Sequence, residues 1–185
     1  MNKFQEKTID TTKVFNGRII SLQVDDVELP DGNYSKREIV KHPGAVAVIA
    51  MTEEEKIVFV EQYRKPLERS LIEIPAGKLE PNEAPEITAV RELEEETGYT
   101  TEQMQYVTSF YTSPGFADEL MHVYFTDNLI KLDEAVPLDE DEFVEVHYLS
   151  LVEAEQYVLE QKIYDAKTAY AILYLRNRLL THEAK

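Results

Sequence analysis

The chain has 185 residues, of which 43% are hydrophobic and 10% aromatic, enough for one globular domain with a small appendage. Its 36 acidic and 19 basic residues give a net charge of −17, which argues against a nucleic-acid backbone as partner. It has no cysteine, which excludes disulfides, thiolate metal sites and cysteine nucleophiles. No apolar run approaches the length of a membrane span and the first residues show no secretory signal, so we expect a cytoplasmic location.

The first 42 residues predict a short antiparallel β unit. Apolar and polar residues alternate over 18–29, residues 30–33 form a turn signal, and residues 34–41 are the expected returning strand. So few residues bury little surface by themselves. We therefore expect this sheet to pack on the rest of the chain or on a second copy of it.

The residues from 43 onward predict further strands with helices between them. A continuous apolar run at 45–51 is typical of a buried strand, and residues 56–63 are its expected hairpin partner. Further strands are expected at 71–75, 105–111, 120–126 and 143–149, and helices at about 82–97, 150–160 and 165–180. Ser150 is expected to cap the second helix, with Glu153 completing a capping box.

The first of these helices has recognisable start and stop signals. Asn82 is the expected N-cap, Pro85 suits the first turn, and Gly98 is the expected left-handed residue at the end. Ile87, Val90 and Leu93 are expected to pack inward, on the side roughly opposite an acidic face that is directed into a cleft.

The acidic face of this helix is the most informative feature of the chain. The segment has the spacing Gly77, Glu83, Arg91-Glu92-Leu93-x-Glu95-Glu96-x-Gly98-Tyr99. In a helix, Glu92 and Glu96 are i, i+4 neighbours and Glu95 lies beside them. Three carboxylates on one face repel one another unless a cation lies among them, and Mg²⁺ takes oxygen ligands of this kind. On charge alone, the alternative is a solvated acidic surface helix.

The segment resembles the Nudix box, G-x5-E-x7-R-E-U-x-E-E-x-G-U, where U is a bulky apolar residue. Every fixed position is matched, and the departure is Tyr99, where an aliphatic residue is commoner. The resemblance covers about residues 43–180. It implies an α/β (α+β) fold, a Nudix-type α/β/α sandwich with a mixed sheet, to which a small N-terminal antiparallel β-sheet is added.

Two further features are similar to the ADP-ribose pyrophosphatase subgroup of Nudix hydrolases. Pro114, in the turn Ser113-Pro114-Gly115, follows Gly98 by sixteen residues, the position of a proline that marks this subgroup. The subgroup also has N-terminal sheets that are exchanged across a homodimer and help to form both substrate sites. The resemblance thus implies an N-terminal region for dimerisation and adenine binding at 1–42 and a Nudix hydrolase domain at 43–185.

The resemblance implies a Mg²⁺ site, in which Mn²⁺ is a possible substitute. The matching ligands are Glu92, Glu96 and the backbone carbonyl of Ala76. Glu95 is expected to bind metal or to orient a neighbour. Glu83 is expected to support the ligands, and Arg91, four residues before Glu95, is expected to form a structural ion pair with it.

An acidic loop at 138–143 matches the loop that supplies the base, or a further metal ligand, in this subgroup. Glu142 and Glu140 both fit, and the pattern does not decide between them. Glu142 is slightly favoured because it is nearer to the next strand. A solvated charge run is the alternative for the whole loop.

The resemblance also implies substrate-binding residues. Arg64 matches an arginine that contacts the substrate phosphates, although a surface arginine paired with an acid is the alternative. Pro114 and Gly115 belong to the subgroup's loop, and Glu119 either reaches the metal site or begins the next strand.

Two residues of the N-terminal sheet match residues that surround adenine in the dimeric relatives. These are Arg37 and Glu38, with Ile19 or Ile20 as an apolar contact. An exposed ion pair on a strand is the alternative.

Together these features predict Mg²⁺-dependent hydrolysis of the pyrophosphate bond of ADP-ribose to AMP and ribose 5-phosphate. The expected partners are the small-molecule substrate and a second copy of the chain, with no nucleic acid and no membrane. One alternative is another nucleoside diphosphate sugar, such as GDP-mannose. Another is a non-catalytic, nucleotide-sensing Nudix-like domain, and an acidic structural protein is the remote third.

Overall fold

The computed structural model describes residues 2–134, 136–138 and 142–183. The chain divides into two compact units. The first unit comprises Met1–Gly44 and Ser109–Met121, and the second comprises Ala45–Thr108 and His122–Lys185. Among the helices that these residues form, none is long and apolar enough to cross a membrane.

The first unit contains a three-stranded antiparallel sheet. Its strands are β1 (Lys7–Asn16), β2 (Ser21–Glu28) and β3 (Tyr34–Lys41), in the order β1-β2-β3. The two predicted strands and the turn between them are confirmed. Sequence reasoning did not find β1, because all ten of its residues are exposed and no alternation of buried and exposed positions marks it.

The second unit is built on a sheet in the order β12-β5-β4-β10-β9, with β6 on β5 and β7 on β4. A small antiparallel pair joins β8 and β11. The strands are β4 (Ala45–Met51), β5 (Ile57–Arg64), β6 (Arg69–Glu73), β7 (Ala76–Lys78), β8 (Tyr99–Thr100), β9 (Gln105–Tyr111), β10 (Leu120–Thr126), β11 (Ile130–Lys131) and β12 (Val144–Leu149). The helices are α1 (Pro85–Thr97), α2 (Leu151–Leu159) and α3 (Ala166–Glu183).

Helices cover both faces of the large sheet. Successive residues of a strand point to opposite faces. On β10, Tyr124 belongs to a buried cluster with Leu93 of α1, whereas the ring of Phe125 lies 6.0 Å from that of Tyr174 on α3. The helices α1 and α3 therefore lie on opposite faces. The predicted sandwich, with a separate antiparallel sheet at the N-terminus, is confirmed.

The residues at the helix ends correctly predicted the start of α2 and the end of α1. Ser150 caps α2 and Glu153 completes the predicted capping box. Gly98 ends α1 with a φ of 67°, as predicted. The prediction of Asn82 as N-cap is wrong. Pro85 is the first helical residue, and a proline disfavours helical backbone in the residue before it, so Ala84 is extended and becomes the N-cap.

The buried face of α1 differs from the predicted one. Ile87 is 59% exposed, so its predicted inward packing is wrong, whereas Ala89 and Leu93 are fully buried. At 100° per residue, Ile87 lies about 200° around the axis from Ala89, on the far side of the helix. Glu92 and Glu96 lie on the same face as Ala89 and Leu93, and α1 therefore carries its acids into the protein.

Candidate active site

Two carboxylates of α1 are buried next to the strand β7. Glu92 is 6% exposed and Glu96 is 3% exposed. An oxygen of Glu96 accepts a hydrogen bond of 2.9 Å from the backbone N–H of Ala76. The predicted ligand positions Ala76, Glu92 and Glu96 are thus brought together by the packing of α1 against β7.

Gly77 leaves the space in which the Glu92 carboxylate lies. A Cβ atom at Gly77 would lie 1.9 Å from Cδ of Glu92 and 2.1 and 2.2 Å from its two oxygens. No side chain fits there while Glu92 keeps its position. The glycine is therefore required by the close approach of the acid to the backbone of β7.

Arg91 links Glu83, in the loop before α1, to two acids of the helix. Its guanidinium lies 2.9 Å from Glu92, 2.8 Å from Glu95 and 3.3 Å from Glu83. The structure therefore contains the predicted Arg91–Glu95 pair. Glu83 also accepts a hydrogen bond of 2.7 Å from the hydroxyl of Thr88, which fixes the carboxylate beside the arginine.

The two buried acids hold their protons more tightly than exposed carboxylates do. Burial raises the pKa of Glu92 to about 7, and the charges of Glu95 and Glu142 add to the rise while Arg91 opposes it. Burial raises the pKa of Glu96 to about 8, against the opposing hydrogen bond from Ala76. Both acids thus lack enough positive charge nearby to offset the loss of water.

The donor set fits a hard divalent cation. Within the described ranges no three acidic or histidine side chains already converge as ligands. Glu92 instead contacts Arg91, and Glu96 accepts the Ala76 N–H. Carboxylate and carbonyl oxygens are the ligands that Mg²⁺ takes, and a cation would stabilise the charged forms that burial disfavours.

Metal-free protein should lose stability as the pH rises, and Mg²⁺ should restore it. Glu92 and Glu96 have folded pKa values above the ordinary glutamate value of 4.5, so the folded state binds more protons than the unfolded state up to about pH 8. The metal binds the charged forms, and we expect Mg²⁺ to raise the unfolding temperature more at about pH 8.5 than at about pH 6. Thermal unfolding in chelator and in excess Mg²⁺ measures this. An equal rise at both pH values would contradict it, and K⁺ at matched ionic strength is the control.

Glu142 interacts electrostatically with the two buried acids. Its charge raises the pKa of both Glu92 and Glu96. The other predicted base, Glu140, lies outside the described residues. Glu142 itself is half-buried and immediately precedes the exposed Phe143, before β12 begins.

Arg64, at the end of β5, is paired with an acid that sequence reasoning missed. Its Nε and Nη2 each donate a hydrogen bond of 2.7 Å to Glu73 of β6. Glu73 also contacts Lys167 of α3. The sequence signal for this pairing is the lone acid Glu73 within the apolar strand predicted at 71–75. The alternative considered for Arg64, a pairing with an acid, is therefore present, while 40% of its side chain stays exposed.

In the first unit, Arg37 and Glu38 are neighbours on β3 without being each other's partner. Nε and Nη2 of Arg37 donate hydrogen bonds of 2.8 and 2.6 Å to Glu6. Glu38 lies opposite Val24 of β2. The candidate apolar contacts Ile19 and Ile20 are both exposed, in the connection before β2.

The Pro114 loop is fastened to the end of β3 within the first unit. The N–H of Val40 donates a hydrogen bond of 2.8 Å to the carbonyl of Phe116, and the N–H of Asp118 donates one of 3.2 Å back to Val40. Glu119 accepts a hydrogen bond of 2.5 Å from the hydroxyl of Thr112. Pro114 and Gly115 form the exposed tip between these attachments.

Comparison with known proteins identifies the family. Residues 41–171 match the model of the NUDIX domain, and residues 6–40 match that of the nucleoside diphosphate sugar hydrolase N-terminal domain. The chain belongs to the Nudix family. The predicted resemblance is thereby confirmed, and the acids of α1 are those of a Nudix box.

Several relatives are similar over at least 90% of this chain. A methanol dehydrogenase activator from Bacillus methanolicus is 64% identical over 94% of both chains. An ADP-ribose pyrophosphatase from Bacillus subtilis is 60% identical over 95% of both chains. An ADP-ribose pyrophosphatase from Mycobacterium tuberculosis is 34% identical over 90% of this chain and 81% of its own.

The crystal structure of an ADP compounds hydrolase is similar in fold. It superimposes with a TM-score of 0.84, covering 96% of each chain at 17% sequence identity. At 17% identity, this structural similarity supports the fold alone.

The one departure from the Nudix box has a structural explanation. The Nζ of Lys131 lies 4.3 Å from the centre of the Tyr99 ring and donates a hydrogen bond of 3.3 Å to the carbonyl of Thr97. The hydroxyl of Tyr99 also accepts a hydrogen bond from that of Tyr148 on β12. The aromatic ring therefore helps to hold a cation at the negative end of α1, where a positive charge is favourable.

Proposed function

We propose that this chain catalyses Mg²⁺-dependent hydrolysis of the pyrophosphate bond of ADP-ribose, giving AMP and ribose 5-phosphate. The observation that carries the proposal is the buried pair Glu92 and Glu96 beside Ala76, two acids that need a cation. The relatives named ADP-ribose pyrophosphatase, at 60% and 34% identity, support the choice of substrate.

Glu92, Glu96 and the carbonyl of Ala76 would hold the cation, with Glu142 as an additional ligand. Bound divalent cations supply neutralisation of the phosphate charge and lower the pKa of the attacking water. Gly77 keeps Glu92 against β7, and Arg91 keeps the loop at Glu83 attached to α1. These contacts set the ligand oxygens in place before substrate arrives.

The remaining chemistry needs a base and an anion-binding group. Water attacks one phosphorus, the bond from that phosphorus to the bridging oxygen breaks, and Glu142 accepts the proton of the water. Glu142 is preferred because its charge acts on Glu92 and Glu96, while Glu140 stays a prediction. Glu95 forms an ion pair with Arg91 and thereby orients the Arg91 guanidinium. Arg64 is the proposed phosphate contact, using the exposed part of its guanidinium.

The test is to incubate purified protein with ADP-ribose and Mg²⁺ and to follow AMP by chromatography. We expect stoichiometric AMP and ribose 5-phosphate, and their loss when a chelator is added. Mn²⁺ should restore activity to chelated and dialysed protein, because it accepts the same oxygen ligands. No AMP above a no-enzyme control would overturn the proposal. Tight binding of ADP-ribose without AMP would instead favour the nucleotide-sensing alternative.

A panel of nucleotide sugars addresses the substrate within this class. GDP-mannose pyrophosphatases from Cronobacter sakazakii and Yersinia pestis are 34% and 33% identical to this chain over 77% and 71% of it. We expect ADP-ribose to have the highest kcat/KM of the panel. A higher kcat/KM for GDP-mannose would assign the chain to that substrate instead.

A second candidate function is activation of a dehydrogenase. It is favoured by the 64% identity to the methanol dehydrogenase activator of Bacillus methanolicus. Purified methanol dehydrogenase from that organism, assayed with and without this chain and Mg²⁺, gives the test. A rate increase would support the candidate, and an unchanged rate would remove it.

We also propose a homodimer in which the N-terminal sheets, at 1–42, are exchanged and contribute Arg37 and Glu38 to substrate binding. The Pro114 loop, which is hydrogen-bonded to Val40 of β3, would contribute Pro114 and Gly115. Exposed apolar side chains on β1, those of Ile9, Val14 and Phe15, support an additional partner surface. Light scattering after size-exclusion chromatography measures the mass, and a monomer at micromolar concentration would remove this proposal.

A further inference from the structure

Four charged side chains of the second unit meet behind the candidate phosphate-binding arginine. Glu73 is 2% exposed, and its two carboxylate oxygens receive both Arg64 and Lys167. Asp165 lies 3.1 Å from Lys167. A carboxylate and an ammonium buried to this extent need compensating partners, and here each has two.

The pairing with Glu73 fixes the orientation of Arg64. A guanidinium has five N–H donors in a rigid plane, and the Nε–Nη2 edge is used by Glu73 in a two-point contact. Two-point contact fixes the plane as well as the position of the group. The donors on the remaining edge then point away from Glu73, on a side chain that is 40% exposed.

Lys167 is an unusual residue for its place in the helix. It is the second residue of α3, where the helix dipole disfavours a cation, and its side chain is only 11% exposed. Helix formation and solubility therefore do not explain it. Its contacts explain it, because Lys167 donates a hydrogen bond to Oε2 of Glu73, the oxygen that also accepts from Nη2 of Arg64.

The turn that carries Lys167 is itself anchored. Asp165 accepts a hydrogen bond of 3.1 Å from the N–H of Thr168, capping α3. The hydroxyl of Thr168 accepts one of 3.0 Å from the N–H of Ile74, the residue after Glu73. Lys167 is thus held at a fixed place beside Glu73 by contacts on both sides of it.

We infer that Lys167 is a positioning residue for substrate binding. It holds Glu73 so that Glu73 aligns Arg64 with a pyrophosphate. The inference rests on the proposed hydrolysis of ADP-ribose, and it adds two residues, Glu73 and Lys167, that no motif contains. Lys167 itself does not contact the substrate.

The test compares steady-state kinetics of Lys167→Met and Lys167→Arg with ADP-ribose. Loss of one charge-assisted contact behind Arg64 should raise KM about tenfold for Lys167→Met, while kcat stays within about threefold. Lys167→Arg keeps the charge beside Glu73 and should stay near the parent. Lys162→Met, at a surface lysine paired with Glu160, is the matched control. Thermal unfolding monitors folding, and Lys167→Gln carries the same expectation if Lys167→Met does not fold.

A double-mutant cycle separates positioning from general destabilisation. If Lys167 acts through Arg64, then Lys167→Met should not raise KM further in an Arg64→Ala background. A further tenfold rise there would overturn the inference, as would an unchanged KM in the single variant. A fall in kcat alone would also overturn it. If the parent protein releases AMP and Lys167→Met has the parental KM, only this inference is removed. If the parent protein itself releases no AMP, the proposed function is removed as well.

Discussion

Glu96→Gln is expected to lower the turnover of ADP-ribose by at least about a thousandfold, because a charged metal ligand is worth several kcal/mol in the transition state. Glutamine keeps the size of the side chain, and its amide oxygen can still accept the N–H of Ala76. The packing is therefore preserved while the negative charge is removed. AMP release at saturating Mg²⁺ measures the loss, and near-normal turnover would remove Glu96 from the proposed metal site.

Although Glu96→Gln is expected to lose turnover, the folded state of its metal-free form should lose no stability at high pH. Burial raises the pKa of Glu96 to about 8, so its charge is unfavourable in the metal-free folded protein above that pH. Without metal, Glu96→Gln should be at least as stable as the parent at about pH 9, and Mg²⁺ should stabilise it less. Glu94→Gln, on the same helix, is the matched control and should keep parental turnover and the parental response to Mg²⁺.

Gly77→Ala is expected to lower turnover by at least about a hundredfold, with a loss of stability of about 1 kcal/mol or less. The added methyl group would lie 1.9 Å from Cδ of Glu92, so the acid must move. Because the atoms in its way are the end of a flexible side chain, the fold can accommodate the change. The proposed metal site cannot accommodate the methyl group, because the oxygens of Glu92 would leave their positions.

Gly98→Ala is the control for Gly77→Ala. Gly98 has a φ of +67°, so a side chain there strains the backbone at the end of α1 and should cost about 1 kcal/mol of stability. It is not expected to change kcat per folded molecule. Urea unfolding and AMP release together separate the two glycines. Equal losses of activity in the two variants would contradict the role given to Gly77.

The sequence predicted those features that depend on local patterns. The bounds of β9 and β10 agree with the predicted 105–111 and 120–126, because continuous runs of β-forming residues end at clear turn signals. The capping box at Ser150 and the left-handed Gly98 depend on residues within one turn of helix. The Nudix box likewise placed Glu92 and Glu96 on one face.

The features that escaped prediction depend on contacts between distant parts of the chain. Glu73 and Lys167 are 94 residues apart and meet because the start of α3 is hydrogen-bonded to the residue after β6. An acid in an apolar strand has no partner that periodicity can indicate. The burial of Glu92 and Glu96 was also not predicted, since a hydrophobic pattern assigns acids to the exposed face.

In the metal-free protein, Arg91 is the counter-ion of Glu92. Glu92 would exchange its contact with the Arg91 guanidinium for a bound cation, and Glu83 and Glu95, which lie within 3.3 and 2.8 Å, would retain Arg91. Metal binding would therefore replace the monovalent counter-ion of Glu92 by a divalent one, while Arg91 stays paired with the other two acids. Ionic strength should consequently affect metal affinity less than the three clustered glutamates alone would suggest.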